Sequence, residues 1–459
     1  MASLHVHLPT VYPNFLPTYT LNKSITFFAS KLLLPNPRNI LSKCYSSSLS
    51  SLTPHMDETL IISQEDDKPL SEIWKEIQGC NDWEGLLDTM NSHLRKEIIR
   101  YGEFAQACYD SFDFDPHSKY CGTSKYQGPH FFEKLGMHGI GYQISRFLYA
   151  TSNINLPNFF QKSKLTSVWS THANWMGYVA VTTDEAEIKR LGRRDIVIAW
   201  RGTVTYLEWI HDLKDILCSP NFINDPSIKI ESGFHDLYTK KEDSCKYCTF
   251  SAREQVLAEI KRLIDYYRDE ELSITITGHS LGAALAILSA YDIAEMKLNF
   301  MEDQKTEIPI TVYSFSALEL EISNLKRDAM NLTLSYAHVG VELALDHRQS
   351  PFLKATNNLG NAHNLELHLH LVDGYHGKGR PFCLATKRDI ALVNKSCDLL
   401  RGEYGVPPHW RQDENKGMVR DGDGRWVVPE RPLVEAHPED TAHHLEQVLK
   451  NNAANSCQD

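Results

Sequence analysis

Acidic residues are missing from the first 56 positions, although an even spread of the chain's 59 acids over 459 residues would place about seven there. Residues 1–56 also lack the uninterrupted apolar block of a secretory signal, because Pro9, Pro13, Pro17, Pro35 and Pro37 break every apolar stretch. Nowhere in the chain is there an apolar run of about 18 residues, which excludes a helical membrane span. Net positive charge is absent as well. At −12 overall, with a pI near 6.0, the chain does not present the uniform field with which proteins hold nucleic acid, so no nucleic-acid partner is expected. The ten cysteines include one close pair, Cys245/Cys248, with no second pair or histidine at a zinc-binding interval. No zinc site is expected from this spacing, and the thiols read as reduced.

What residues 1–56 do carry is Lys23, Lys31, Arg38, Lys43 and a crowd of serines around 46–51, and the composition changes abruptly at Asp57. A cationic, hydroxyl-rich, acid-free leader is the pattern of an organelle transit peptide. The excess of hydroxyls over arginine points to a plastid, that is, to the chloroplast. The rest, within a chain 42% hydrophobic and 23% charged, suffices for one large catalytic domain or two modest ones. From 57 to about 160, Trp74, Ile77, Trp83, Leu86, Leu87, Met90, Leu94, Ile98 and Ile99 fall near helical spacing, predicting a helical scaffold. Beyond it, short β-rich runs at 177–182, 195–200, 273–277 and 309–315 alternate with helical stretches, which predicts an α/β fold with a mostly parallel sheet. The α/β core domain is expected over 161–376, and a C-terminal extension over 377–459 shows no readable periodicity.

The chemistry starts at Gly278-His279-Ser280-Leu281-Gly282. A strand candidate precedes it and an Ala-rich helical run follows, the setting in which Gly-x-Ser-x-Gly exposes a nucleophilic serine on a tight turn. Gly278 and Gly282 supply the missing side chains that such a turn needs. The helix N-terminus aims N–H groups and its positive dipole end at the serine, where an oxyanion would form. A plain strand-to-helix turn with a capping serine is the bland alternative. A second donor has to come from another loop. Trp200-Arg201-Gly202-Thr203 ends an earlier strand, and Thr203 offers both a backbone N–H and a hydroxyl.

Together, Trp200 to Thr203, Trp209, Asp212-Leu213, the Gly278 to Gly282 turn, the 336–343 run Tyr-Ala-His-Val-Gly-Val-Glu-Leu and the 362–366 run Ala-His-Asn-Leu-Glu resemble the class 3 (fungal-type) lipases. Leu371-Val372-Asp373-Gly374-Tyr375-His376-Gly377 and the 410–419 run Trp-Arg-Gln-Asp-Glu-Asn-Lys-Gly-Met-Val resemble the plant plastid phospholipase A1 branch related to the jasmonate-pathway lipases. The resemblance implies an α/β-hydrolase fold with no metal or organic cofactor. It implies hydrolysis of the sn-1 acyl ester of phospholipids, with galactolipids as a further substrate class, on a membrane lipid reached by peripheral contact. It also implies Ser280 as nucleophile, Thr203 and the Leu281 N–H as oxyanion donors, and His363 as general base, with His376 and His437 as its rivals.

One part of the family pattern is missing. After the strand matching 309–315, the family continues with a Gly-Gly-Pro-Arg-Val-Gly-Asn turn, a helix, and a strand ending in a Val-His-Asp loop that bears the triad acid. Here Ser316 runs into Ala317-Leu318-Glu319 and almost at once into Tyr336-Ala337-His338. One strand and the acid loop are therefore expected to be absent, leaving Asp328 and Asp346 as the aspartates between that strand and His363. Losing the acid of such a triad costs on the order of 10⁴ in turnover. A catalytically impaired lipase-like protein, or one read from a shortened transcript, is thus an alternative to an active enzyme. A serine esterase of soluble esters is another, since the turn itself does not encode substrate. The 218–241 stretch reads as a lid or plain loop, and Lys387, Arg388 and Lys395 as headgroup contacts or solvated charges. Oligomeric state is not legible.

Overall fold

Fully buried strands need apolar side chains on both faces, and the runs rich in Ile, Val, Tyr and Trp supply them. The computed structural model describes residues 2–7, 68–154, 160–203, 217–218, 220, 222, 230–301, 304–316, 340–355, 361, 363–412, 419–427 and 429–456. Trp209, Asp212, Asp328, the 336–339 part of the lipase-like segment and residues 8–67 lie outside them. Seven strands make the main sheet: β1 Ala2–His7, β2 Tyr142–Thr151, β3 Ala173–Thr182, β4 Arg194–Trp200, β5 Leu272–His279, β6 Ile310–Phe315 and β7 Val341–Ala344. Their spatial order is β7-β1-β6-β5-β4-β3-β2. Neighbours from β7 to β4 run parallel, while β3 is antiparallel to both β4 and β2. The mostly parallel sheet expected from the alternation of strands and helices is present.

The helices are α1 Leu70–Ile77, α2 Ser92–Asp110, α3 Phe131–Lys134, α4 Glu185–Leu191, α5 Ser232–Thr239, α6 Ala252–Tyr266, α7 Leu281–Glu295, α8 Leu365–Gly374 and α9 Thr441–Ser456. They divide between the two faces of the sheet, because successive strand residues point to opposite sides. Tyr178, Ala180, Val197, Ala199, Tyr313 and Phe315 join α1, α2 and α8 in one core. Val179, Val181, Ile196, Ile198, Ile274, Ile276 and Val312 join α5, α6 and α7 in the other. A buried carboxylate fastens α2 to the sheet: Asp195 on β4 accepts hydrogen bonds from Tyr101 Oη and Tyr142 Oη at 2.9 Å, Ser273 Oγ at 2.6 Å and Thr275 Oγ1 at 2.7 Å. With four donors it remains solvated inside the protein.

Several expectations need correcting. Residues 57–160 are not helical throughout, since β2 lies within them; its Phe147 to Thr151 stretch is buried without a break and so carries no period to read. The place beside β6 is filled from the N-terminus: Ala2–His7 pairs in parallel with β6 on one side and with β7 on the other. This strand falls within the leader read as a transit peptide. Part of the 218–241 stretch is α5, whose Phe234, Leu237 and Tyr238 are buried against the core, so a packed helix occupies 232–239 of the stretch read as a lid or plain loop. Arg388 and Lys395 are not headgroup contacts either. The Arg388 side chain is 8% exposed and pairs with Glu366 and, at 3.3 Å, with Glu103, while Lys395 pairs with Asp110. The C-terminal extension contains α9, which turns the buried residues Leu445 and Val448 inward.

Candidate active site

β5 delivers its last residues to the edge of the sheet, and the chain turns directly into α7. Ser280 sits at that turn with φ 60° and ψ −125°, a conformation that costs a non-glycine residue of order 1–3 kcal/mol and persists only where its surroundings enforce it. The surroundings here are backbone. A Cβ added to Gly278 would lie 2.1 Å from the Gly282 carbonyl oxygen, and one added to Gly282 would lie 2.4 Å from the Trp200 carbonyl oxygen. The first glycine lets the turn close, and the second lets it sit against the strand end that leads to Thr203. Gly278→Ala is expected to destabilise the protein by about 1–3 kcal/mol, since no flexible side chain can yield; urea unfolding of the variant checks this.

Ser280 Oγ is buried and has no hydrogen-bond partner among the described residues. A free buried hydroxyl at the N-terminus of a helix, with the Leu281 N–H in the first turn beside it, is arranged to donate and to react rather than to cap. The second loop is held by Arg201. Its guanidinium is wholly buried, lies 4.0 Å from the Phe112 ring centre, and donates to the Trp175 carbonyl at 3.0 Å and the Gly202 carbonyl at 2.9 Å. Burial draws its pKa down to about 10, which leaves it charged at neutral pH. The Gly202–Thr203 peptide is thereby fixed beside the first turn of α7, and Thr203 itself is buried. Arg201 is a positioning residue, visible in the sequence only as a member of the run that ends an earlier strand.

His363 comes to the same place, just ahead of α8, whose N-cap Asn364 accepts from the Leu367 N–H. Its Nε2 is buried and unpartnered among the described residues. The His363 ring centre is 4.6 Å from that of His279, the residue before the serine. His279 ties the segment down: its Nε2 donates to the His363 carbonyl at 2.7 Å, and its Nδ1 accepts from Tyr109 Oη, also at 2.7 Å. The partners on both nitrogens assign the neutral tautomer of His279. His368 completes the cluster, with Nδ1 facing the Asn364 carbonyl and Nε2 facing Ser316 Oγ, each at 2.8 Å. His279 was visible only as a letter of the serine motif, and Tyr109 on α2 gave no signal in the sequence.

The rivals for the base are held elsewhere. His376 Nε2 donates to the Cys383 carbonyl at 2.7 Å and its Nδ1 accepts from Arg95 at 3.2 Å. His437 Nε2 donates to the Tyr247 carbonyl at 2.9 Å, with its ring packed on Tyr149 and Phe250. Among the described residues no carboxylate acts on His363. Burial and then the charge of His368 lower its pKa to about 3, whereas an acid in place would raise it. Asp346 caps a short helix, accepts from the Arg348 backbone N–H at 2.9 Å and pairs with the Arg348 guanidinium at 2.7 Å. That pairing, the main cause of its lowered pKa, engages the carboxylate away from His363. Among the described residues no group of three histidines, cysteines or acids could hold a metal ion.

Burial also lowers the pKa of His370 and His437 to about 4 and that of His279 well below its ordinary 6.5. The folded protein keeps these imidazoles and His363 neutral, while the unfolded chain takes up protons near pH 6.5. Their contribution to stability is therefore complete above about pH 6.5 and is lost as pH falls toward the folded values. Melting temperature is expected to drop steadily from pH 6.5 to about 4, a range in which carboxylates alone would change little until its lower end. His370→Asn should flatten the profile.

The lipase (class 3) family matches residues 197–326. Phospholipase A1-Igamma3, chloroplastic, of Arabidopsis thaliana is 66% identical, the match covering 83% of this chain and 81% of that protein. Phospholipase A1-Igamma2, chloroplastic, of the same plant is 53% identical over 84% of this chain and 81% of its own. Phospholipase A1-II 6 of Oryza sativa subsp. japonica is 41% identical over 78% and 95%. The first match runs over 428 positions yet takes in only 83% of 459 residues, so some tens of the relative's positions have no counterpart here. Among solved structures, a Rhizomucor miehei lipase propeptide complex is 16% identical with a TM-score of 0.31, covering 52% of this chain and 56% of that one.

Proposed function

Since the chain belongs to the class 3 lipases and within them to the plant phospholipase A1 proteins, we propose that it is a chloroplast serine acyl hydrolase of phospholipase A1 type, which cleaves the sn-1 acyl ester of membrane phospholipids, with galactolipids as a further substrate class. The observation that carries this reading is the free, buried Ser280 hydroxyl on a strained turn at the N-terminus of α7. Ser280 Oγ attacks the ester carbonyl and passes its proton to His363 Nε2. The Leu281 N–H and Thr203 stabilise the oxyanion. Collapse of the tetrahedral intermediate expels the lysophospholipid, which takes the proton from His363, and water then releases the fatty acid by the same steps. Contact with the lipid surface is peripheral in this reading; among the described residues no helix is long and apolar enough to cross a membrane.

A second reading, a protein of this family with weakened catalysis, is favoured by one observation: among the described residues no carboxylate acts on His363. Substrate choice separates both readings from an esterase of soluble esters. Protein incubated with dispersed phosphatidylcholine labelled in the sn-1 chain is expected to release labelled fatty acid, in preference to cleaving p-nitrophenyl acetate. Cleavage of the soluble ester alone, even after the missing segment is restored, would instead favour an esterase of soluble substrates.

A further inference from the structure

Exposed apolar side chains are ordinary when scattered and informative when they gather. Among the described residues nine large apolar side chains are exposed, and five of them, Trp410, Val419, Trp426, Val427 and Leu433, fall within 410–433. At the centre of this stretch is a hairpin, β8 Val419–Arg420 and β9 Trp426–Val427, in which Val419 stands opposite Val427 and Arg420 opposite Trp426. Asp421 closes it, its Oδ1 accepting from the N–H groups of Asp423 and Arg425 at 3.0 and 2.8 Å. Both strands are exposed along their length, Trp426 by 59% and Val419 by 48%. Successive strand residues point to opposite sides, so two valines share one face and an Arg–Trp pair the other. On that second face the Arg420 guanidinium lies 5.2 Å from the Trp426 ring centre.

The hairpin is fastened beside the catalytic turn. Ahead of it, Arg411 donates to the Tyr109 and Asp110 carbonyls at 3.2 and 2.7 Å. After it, Arg431 pairs with Asp113, and the Arg431 carbonyl accepts from Tyr120 Oη at 3.0 Å. These partners all belong to the end of α2 and the stretch that follows it. The same part of the chain supplies Tyr109, which holds the neighbour of Ser280, and Phe112, which lies against the guanidinium that holds the Gly202–Thr203 peptide. Both arms of the hairpin are thus attached to the shelf that borders the reacting groups.

We propose that the 419–427 hairpin is the surface through which the chain docks on lipid of zero net charge, with the Trp426 indole at the level of the headgroups and Arg420 on their oxygens. The proposal rests on the acyl hydrolase reading, in which the substrate lies in a membrane beside the catalytic turn. Tryptophan suits that depth because its ring is apolar and its N–H polar, and a guanidinium binds phosphate oxygens through two N–H groups at once. Charge selects the kind of lipid. Arg420 and Arg425 are balanced by Asp421 and Asp423, on a chain of −12 overall, so the hairpin offers anionic headgroups no net attraction and apolar burial carries the contact. A second copy of the chain is a poor occupant, since a stable protein pair engages about 20–30 residues a side, far more than one short hairpin offers.

The full chain carrying Ser280→Ala, which leaves the lipid intact, is floated with phosphatidylcholine vesicles. It is expected to bind equally well at low and high salt. Trp426→Ala added to it should weaken binding about tenfold, and Trp426→Phe much less. Absence of binding, equal binding by the Trp426→Ala chain, or binding confined to anionic phosphatidylglycerol vesicles and lost in salt would overturn the proposal. In the chain that keeps its serine, Trp426→Ala should slow fatty acid release from vesicles by a similar factor and leave release from dihexanoyl phosphatidylcholine, dissolved below its micelle concentration, unchanged. Equal losses on the two forms would make Trp426 a structural residue and overturn the docking role. A chain that binds vesicles through Trp426 yet hydrolyses neither form would uphold docking and contradict the acyl hydrolase.

Discussion

A version of this chain in which a Gly-Gly-Pro-Arg to Val-His-Asp segment follows Phe315 is expected to hydrolyse phospholipid faster by a factor on the order of 10⁴, the cost of a missing acid in a comparable triad. The acid would hold the His363 imidazole in one tautomer and stabilise the imidazolium that forms as Ser280 loses its proton. In the present chain His279 and Tyr109 position the backbone of His363, which can orient the ring but supplies no countercharge. Nor can Asp346 do so without leaving Arg348. The segment would also bring its own strand to the place beside β6 that Ala2–His7 now fills. Removal of residues 1–56 should therefore lower the melting temperature of the present chain and leave that of the restored one nearly unchanged. Equal turnover by the two versions, measured as fatty acid released per unit time, would show that the acid is not what limits this chain.

Ser280→Ala has a size that depends on the same segment. Serine, histidine and acid act as a unit, so removing the serine from an intact triad costs about as much as removing all three, on the order of 10⁶ in turnover. In the restored chain that full loss is expected. In the present chain much of the loss has already been taken with the acid, and the further drop should be nearer 10², again an order of magnitude. The fold should be unaffected, because alanine at φ 60° carries the same backbone cost as serine and only an unpartnered hydroxyl is removed. Initial rates on dispersed phosphatidylcholine, taken beside an unfolding curve for each variant, check both figures.

The parts legible in the sequence are those where one residue type has one physical use. Gly278 and Gly282 are required by backbone contacts near 2 Å, so the spacing of the motif already located the turn and its strand and helix. The parallel sheet followed from β-rich runs separated by helical ones. What stayed hidden depends on contacts between distant residues. Arg388 and Lys395 look like surface charges until Glu366, Glu103 and Asp110 are found beside them. Tyr109 lies 170 positions from the histidine it orients. The buried stretch of β2 has no alternation to read, and nothing in Ala2–His7 marks it as the strand that takes a place in the sheet.

The most direct measurement is the site of covalent labelling by a fluorophosphonate, which reacts with an activated serine hydroxyl without any requirement for lipid. Peptide mapping of the labelled full chain is expected to show the adduct on Ser280 and nowhere else, forming more slowly than in the restored version and absent from Ser280→Ala. An adduct on a different serine, or undiminished labelling of the alanine variant, would contradict Ser280 as the nucleophile and with it the acyl hydrolase built around it.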